Sequence, residues 1–393
     1  MSFFDGNLIL EASCASGIEA ILKRELTSLG YNPKGAIYGR IPFEGSFLDV
    51  AKSNFFVRTA NRIRIVIKEF EAHTFDELYD GIFSINWKEI LTKDAKIIVN
   101  AKSIKSTLFA LSSIQSISKK AIVSKMGGNA LETGAEYNLE VSIIENKVKV
   151  SLDTSGDSLH KRGYRTYVGA APMRETTAAA IIELSVWNKD RVLIDPFCGS
   201  GTFPIEAALI ALNIAPGINR HFAYENWTNS PNVRDLAYEE AKDKEQLDSQ
   251  VRISGFDINK DAISLAMKHA QNAGVRDKIH FQVQDMRNLS SRYAHGVIIT
   301  NPPYGERLLS NSEVQLLYKD FGKVFESLDE WCAYIITSYK GFEKYFGKIA
   351  NKTRKLYNSE LECVLYQYLG RAPQKEGNKW EQLYKEQAQQ HYP

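Results

Sequence analysis

Long hydrophobic runs are missing from this chain. Its longest apolar stretches fall well short of the ~20 residues that a membrane span requires, so no membrane partner is expected. Cysteine is scarce: Cys14, Cys198, Cys332 and Cys363 stand alone with no paired spacing, which argues against a zinc site or a disulfide framework. No metal and four free thiols are the expectation. A surplus of one charge is also absent, since 49 basic residues face 47 acidic ones for a net charge of +2. Net charge therefore says little about partners, and only its distribution is informative. The opening Met1-Ser2-Phe3-Phe4-Asp5 lacks a basic region followed by an apolar one, so a cytoplasmic location is expected.

What is present suits a soluble protein of two or three domains: 393 residues, 44% hydrophobic and 24% charged. The first part reads as a small α+β unit, with extended runs at Asn7–Cys14, Ala36–Phe43 and Arg62–Phe70 and helices at Gly17–Leu29 and Phe47–Val57. Asp5, Glu11 and His73 are isolated there, and solvent or a local hydrogen bond accounts for each. A second small unit follows, with helices at Phe75–Trp87 and Ile114–Lys125, a strand at Lys96–Lys102, and two strands about a turn at Glu145-Asn146. Between Leu91 and Lys125 lie seven lysines and one acid, Asp94, a net charge of +6 and an electrostatic footprint for phosphates. A solvated helix face would give the same run. The lobe lacks the aromatic interleaving of a single-strand platform, so RNA there would be read by shape and backbone. Lys161, Arg162, Arg165 and Arg174 then mark a basic junction without acids, Thr166–Met173 being rich in small residues.

Strand and helix alternate from there on, the mark of a doubly wound sheet. Strands are predicted at Arg191–Asp195, Val251–Asp257, Lys278–Gln284, Gly296–Thr300 and Trp331–Ser338, with closing runs at Lys352–Tyr357 and Leu361–Leu369. Helices fall at Glu175–Trp187, Phe203–Leu212, Lys260–Ala273, Ser312–Leu328 and Gly341–Phe346. Residues 215–250 are an insertion that a minimal crossover does not need, and Arg371–Pro393 reads as a polar tail.

Asp195-Pro196-Phe197-Cys198-Gly199-Ser200-Gly201-Thr202 is a strand end, a glycine turn and a helix start. Pro204 stands where a dinucleotide fingerprint has its third glycine, and the Lys-Ser/Thr of a phosphate loop is missing. A carboxylate at Asp195 would repel pyrophosphate but suit the ammonium of a methionine moiety. Asp257 ends the next strand, where an acid can bind ribose hydroxyls, and Asp285 ends the third, where one can accept from an adenine amine. S-adenosylmethionine fits all three. The fourth strand leads into Asn301-Pro302-Pro303-Tyr304, in which an Asn amide oxygen and the Pro302 carbonyl form two acceptors beside a tyrosine ring. That set suits a planar amino group on a nucleobase, although a proline turn with a solvent-facing tyrosine would share the pattern.

Together with Gly305-Glu306-Arg307-Leu308 and Pro172-Met173-Arg174-Glu175-Thr176, these motifs resemble the amino-group RNA methyltransferases that carry an N-terminal THUMP domain. The nearest resemblance is to the bacterial guanine-N2 methyltransferases of 23S ribosomal RNA, often labelled adenine-specific DNA methylases, and it covers nearly the whole chain. It implies a ferredoxin-like domain at 1–68, a THUMP RNA-binding domain at 69–158, and a Rossmann-like class I methyltransferase domain with a seven-stranded doubly wound sheet at 159–393. Cofactor contacts are then expected at Thr176, Asp195, Phe197, Gly199, Ser200, Gly201, Thr202, Asp257, Ile258, Asp285, Met286 and Asn301. Asn301, Pro302, Pro303 and Tyr304 would hold the target amine. Lys102, Lys105, Lys119, Lys120, Lys125, Lys161, Arg162 and Arg165 would face RNA. A tRNA guanine-N2 methyltransferase, an adenine-N6 or cytosine-N4 DNA methyltransferase, and a non-catalytic RNA-binding factor share parts of the pattern.

Overall fold

Alternating burial makes the strands of the N-terminal half, and 3.6-residue spacing makes the helices that cover them. The computed structural model describes residues 3–128, 131–165, 173–304, 310–328, 330–358 and 361–371. Its chain runs β1 (Leu8–Ser13), α1 (Glu19–Ser28), β2 (Arg40–Gly45), α2 (Phe47–Phe56) and β3 (Arg62–Glu71). Then come α3 (Phe75–Phe83), α4 (Trp87–Ile90), β4 (Lys96–Ile104), α5 (Leu111–Met126), β5 (Glu136–Ile144) and β6 (Lys147–Asp153). These six strands form one sheet, ordered β2-β1-β3-β6-β5-β4. Because β3 bonds β1 on one side and β6 on the other, the expected 68/69 boundary falls inside a strand that both small units share. Glu145 and Asn146 both take positive φ, 51° and 64°, which is the backbone a tight hairpin between β5 and β6 needs.

Glu11 departs from its expected solvent exposure. It is fully buried, and Arg40 at 2.9 Å and Lys149 at 2.6 Å neutralise it. Arg40 and Arg64 also pair with Glu140, so five strands share a network of opposed charges. An unpaired carboxylate at that depth would cost several kcal/mol, on the order of the Born penalty after relaxation.

The second sheet is built from β7 (Leu193–Asp195), β8 (Ile253–Asp257), β9 (Ile279–Val283), β10 (Val297–Thr300), β11 (Cys332–Thr337), β12 (Lys352–Asn358) and β13 (Leu361–Tyr368). Its helices are α6 (Glu175–Leu184), α7 (Thr202–Ala211), α8 (Arg234–Asp243), α9 (Lys260–Asn272), α10 (Asn311–Glu326) and α11 (Phe342–Phe346). Strand order is β12-β13-β11-β10-β7-β8-β9. Five strands are parallel, and β13 lies antiparallel to both β11 and β12. Every residue of β10 and β11 is buried, as expected of strands covered on both faces. The order reverses between β7 and β10. In such sheets a ligand binds in the crevice at the carboxyl ends of the two strands where the reversal occurs.

The insertion at 215–250 packs on the N-terminal half. The Trp227 ring stacks on Tyr137 (centroids 5.2 Å apart) and on Phe4 (6.0 Å), and its Nε1 donates to the Glu136 carbonyl. Phe222 meets Phe55, Tyr224 meets Phe47, and Tyr137 donates to Asn229 Oδ1 at 2.8 Å. Residues of the insertion therefore belong to the same apolar core as β1 through β6. Gly305 to Leu308, the small-residue segment 166–172 and the tail from 372 onward lie outside the described residues. Among the described residues no helix is long and apolar enough to cross a membrane, and no group of side chains could hold a metal ion.

Trp227 is 3% exposed, so Trp227→Ala should cost about 3–5 kcal/mol by the usual scale for deleting a buried large aromatic. Urea denaturation followed by fluorescence and far-ultraviolet dichroism measures it. A loss below about 1 kcal/mol, the level of an ordinary surface change, would show that the stack does not hold the insertion in place.

Candidate active site

Asp195, the last residue of β7, and Thr300, the last of β10, meet across the reversal point. The Thr300 hydroxyl donates to Asp195 Oδ1 at 2.5 Å, and the Phe197 amide donates to the same oxygen at 3.1 Å. Asp195 is fully buried, and burial is the main cause that pushes its carboxyl up to about 7, with the charge of Asp257 adding to it and both hydrogen bonds opposing. The predicted methionine-facing acid is thus first of all the tie between two strand ends.

Beyond it the chain turns sharply. Gly199 has φ 51° and nothing stands within 4 Å of where its side chain would be, so the turn opens onto free space. Gly201, with φ 84°, closes against Ala266 of α9, where a Cβ would sit 3.0 Å away. A bound ligand can therefore approach the backbone at Gly199, while Gly201 lets the turn rest on the fold behind it. The Ser200 carbonyl is paired with His269 Nδ1 at 3.2 Å, and Thr202 begins α7 with its hydroxyl bonded to Arg165.

Asp257, at the end of β8, accepts from the Gly199 amide (2.9 Å, Oδ2) and from the Asn259 amide (2.9 Å, Oδ1). Asp285, following β9, accepts from the Arg287 amide (2.9 Å) and pairs with the Arg287 guanidinium (3.0 Å), which Asp320 also holds. Each carboxylate is thus oriented by the protein, and each keeps further lone pairs for hydroxyls or an amine. Ile258, beside Asp257, is 69% exposed, an apolar surface at the place where an adenosine would lie. Met286 is buried behind it and Phe197 packs edge-on against Phe321 of α10. This donor set, with its open glycine turn and three carboxylates, fits S-adenosylmethionine and would hold its ribose, its adenine and its cationic tail.

The tetrad follows β10 directly. Asn301 Oδ1 is buried and, among the described residues, has no donor. Pro303 gives its carbonyl to the Tyr318 hydroxyl of α10 at 2.8 Å, and Tyr318 in turn meets Thr337 of β11 at 3.2 Å. No described residue donates to the Pro302 carbonyl. Among the described residues Pro303 is therefore the anchored member, and Asn301 and Pro302 are the acceptors that no donor meets. Tyr304 is half-buried, its hydroxyl beside Asn301, Asn358 and Cys363, and its phenol is pushed up by burial first and by Cys363 next.

Three expected roles change. Thr176 is buried and donates its hydroxyl to Asn61 Oδ1 at 3.0 Å, which makes it a tie to the N-terminal half. Arg162, predicted to face RNA, is 4% exposed and bonds the Leu159 and Arg58 carbonyls and Glu206, a buried acid that needs a cation. Arg165 is enclosed in the same way by Glu175, Met173 and Thr202. Neither can reach a polyanion outside. Lys105, Lys120 and Lys161 are exposed, although Lys161 pairs with Asp157; Lys119 pairs with Glu132, Lys102 is half-buried, and Lys125 lies over the Phe83 ring at 4.8 Å. Phe109, just before α5, stands 78% exposed and gives the basic lobe one aromatic surface. Tyr318, Asn358 and Cys363 surround the tetrad with no signal in the sequence, since they come from a distant helix and a closing hairpin.

The chain matches three family models: UPF0020, described as an RMKL-like methyltransferase domain, over residues 162–367; an RlmL ferredoxin-like domain over 10–64; and a THUMP domain over 72–153. It is 42% identical over 367 residues to the "Putative RNA methyltransferase YpsC" of Bacillus subtilis, covering 91% of this chain and 95% of that protein. It is 34% identical to the "Ribosomal RNA large subunit methyltransferase K/L" of Buchnera aphidicola, covering 92% of this chain and 54% of that one; the chain thus spans about half of this longer relative. Among solved structures, "SMU.472, a putative methyltransferase complexed with SAH" superposes with a TM-score of 0.88 at 41% identity, covering 94% of this chain and 99% of the other.

A carboxyl raised from 3.8 to about 7 takes up a proton on folding between those values. Its contribution to stability is complete below the lower value and is lost as pH rises through the upper one. Asp195→Asn lacks this dependence, so its melting temperature should gain on the wild type as pH rises from about 5 to about 8. Differential scanning calorimetry without cofactor measures it, and a difference that stays constant with pH would mean that Asp195 is ionised throughout.

Proposed function

The chain belongs to the UPF0020 family of RMKL-like methyltransferase domains, and from that membership we propose that it methylates the exocyclic N2 of a guanine in structured RNA, with 23S ribosomal RNA as its substrate. The observation that carries this reading is the buried Asn301 Oδ1 without a donor, at the end of β10 and beside the glycine turn. A buried acceptor left unpaired costs about 1–3 kcal/mol, which an incoming amine would relieve. S-adenosylmethionine supplies an electrophilic methyl group, the electron pair of the broken carbon–sulfur bond returning to sulfur.

An exocyclic amine is a poor nucleophile because its lone pair is delocalised into the ring. If Asn301 Oδ1 and the Pro302 carbonyl accept its two N–H groups, the lone pair is held in one direction and the positive charge that develops on nitrogen faces two fixed dipoles. Holding the two reactants in line supplies much of the remaining acceleration. No strong base is needed, since the amine becomes acidic as the new N–C bond forms and water can take the proton. Asp257 and Asp285 orient the adenosine, and the exposed Ile258 gives it an apolar floor.

The N-terminal half supports an RNA substrate. Lys105 and Lys120 offer phosphate contacts and Phe109 an exposed stacking face. Extruding a base costs a few kcal/mol, roughly what stacking on one aromatic ring returns. The names of the Bacillus and Buchnera relatives point to the same substrate class.

Asn301→Ala should lower turnover by at least ~100-fold, the scale for losing a transition-state acceptor, while cofactor affinity stays near the wild-type value. Asp257→Ala should act in reverse, weakening cofactor binding by roughly 10–100-fold as a charged hydrogen bond is lost. Calorimetric titration with S-adenosylhomocysteine and tritium transfer from labelled cofactor read the two effects separately. Transfer to undermethylated ribosomal RNA and none to DNA is the expected outcome; the opposite preference would make the chain a DNA methyltransferase.

A further inference from the structure

We propose that the cavity between the N-terminal sheet and the tetrad seats an RNA phosphate next to the extruded nucleotide, with the Arg174 guanidinium as its anchor. The inference rests on the RNA methyl-transfer reading and adds a subsite to it. The cavity measures about 390 Å³ and is lined by Ala15, Ser16, Asn61, Arg174 and Tyr357. It forms where the loop after β1, the residue before β3, the entry to α6 and strand β12 converge. The ferredoxin-like unit thus supplies part of its wall.

A short series of contacts joins the cavity to the amine acceptor. The Arg174 amide donates to Asn358 Oδ1 at 3.4 Å, Asn358 stands beside the Tyr304 hydroxyl, and Tyr304 stands beside Asn301. On the other wall, Thr176 fixes Asn61 at 3.0 Å. Arg354 of β12 donates to the Gly17 carbonyl at 3.1 Å, which holds the strand against the loop after β1. The cavity and the target amine site are therefore two side chains apart, on a frame of hydrogen bonds.

Its chemistry selects an anion. No acid lines it, and no described residue pairs with the half-buried Arg174 guanidinium. Arg40, Arg64, Arg162 and Arg165 each have a carboxylate partner, Arg58 lies in the field of Glu25 and Glu206, and Arg220 is held by backbone carbonyls, whereas the Arg174 guanidinium has no such partner among the described residues. Nearby His160 is held down to about 4 by burial first and then by the charge of Arg174, ahead of those of Arg162, Lys161 and Arg165. A guanidinium fork matches two phosphate oxygens, and Ser16 and Asn61 add neutral polar groups. A strand whose base enters the tetrad must carry its phosphodiester along, and this is the cationic cavity beside the entrance.

The test uses the full chain, undermethylated ribosomal RNA and a series of salt concentrations. Arg174→Ala should raise the KM for RNA roughly tenfold, the scale of one charge-assisted contact, and leave S-adenosylhomocysteine affinity unchanged. The slope of log KM against log salt should fall by about 0.7 to 0.9, the loss of one phosphate contact, a change that no purely structural defect produces. Arg174→Lys should restore the slope while recovering only part of the KM. If cofactor affinity shows that the alanine variant folds poorly, Arg174→Gln takes its place with the same expected slope. Wild-type KM and slope in the neutral variants would overturn the subsite and leave methyl transfer intact. Failure of the wild-type chain to methylate any RNA would overturn both.

Discussion

The hydrogen bond from Thr300 to Asp195 is the constraint on which the rest of the site depends. It is made between two strands that are neighbours in the sheet but lie 105 residues apart in the chain. By joining the ends of β7 and β10 it sets the glycine turn and the Asn301-Pro302-Pro303-Tyr304 tetrad side by side, one on each lip of the crevice. Burial makes the bond matter: with no water to replace it, loss of either partner strands a polar group in the core. Asp257 extends the same frame outward by holding the Gly199 amide, and Tyr318 extends it sideways by holding the Pro303 carbonyl. The site is rigid because each group that would meet a ligand has a second partner behind it. Among the described residues Asn301 Oδ1 and the Pro302 carbonyl are the exceptions, the two acceptors to which the proposed reaction assigns the amine.

The two halves of the molecule are joined by the same principle at larger scale. Arg162 donates to the Arg58 carbonyl and pairs with Glu206, and Arg165 pairs with Glu175, so that the segment between the sheets is bonded to both. Acids placed in the interior recruit the basic junction inward. This is why Arg162 and Arg165, in a run of positive charge that looks ready for a polyanion, end up enclosed, while Arg174 pairs with no acid among the described residues.

Much of this could be read from the residues. Alternating patterns located every strand of the second sheet to within a few residues, and the acids at the ends of β7, β8 and β9 stood out because strand ends are where an open sheet presents chemistry. What could not be read came from long-range pairing. Nothing local marks Glu11 as buried, since its neutralisation by Arg40 and Lys149 depends on three strands lying in register. Tyr318 and Asn358 join the tetrad only because α10 and the β12–β13 hairpin fold back over it. The insertion had no partner assigned from the sequence because its apolar residues have no period; they serve as single plugs in a core that belongs to other elements.

The Tyr137–Trp227–Phe4 stack gives the molecule a mechanical property. A methyltransferase whose RNA-gripping lobe swung on a free tether could reach targets over a range of separations. Here aromatic rings contributed by the second half are wedged into the core of the N-terminal half, so the spacing between the two is a built-in gauge. Under the proposed RNA reading a substrate would have to match that gauge with its own folded shape, and selection by span would do what base-by-base reading does elsewhere.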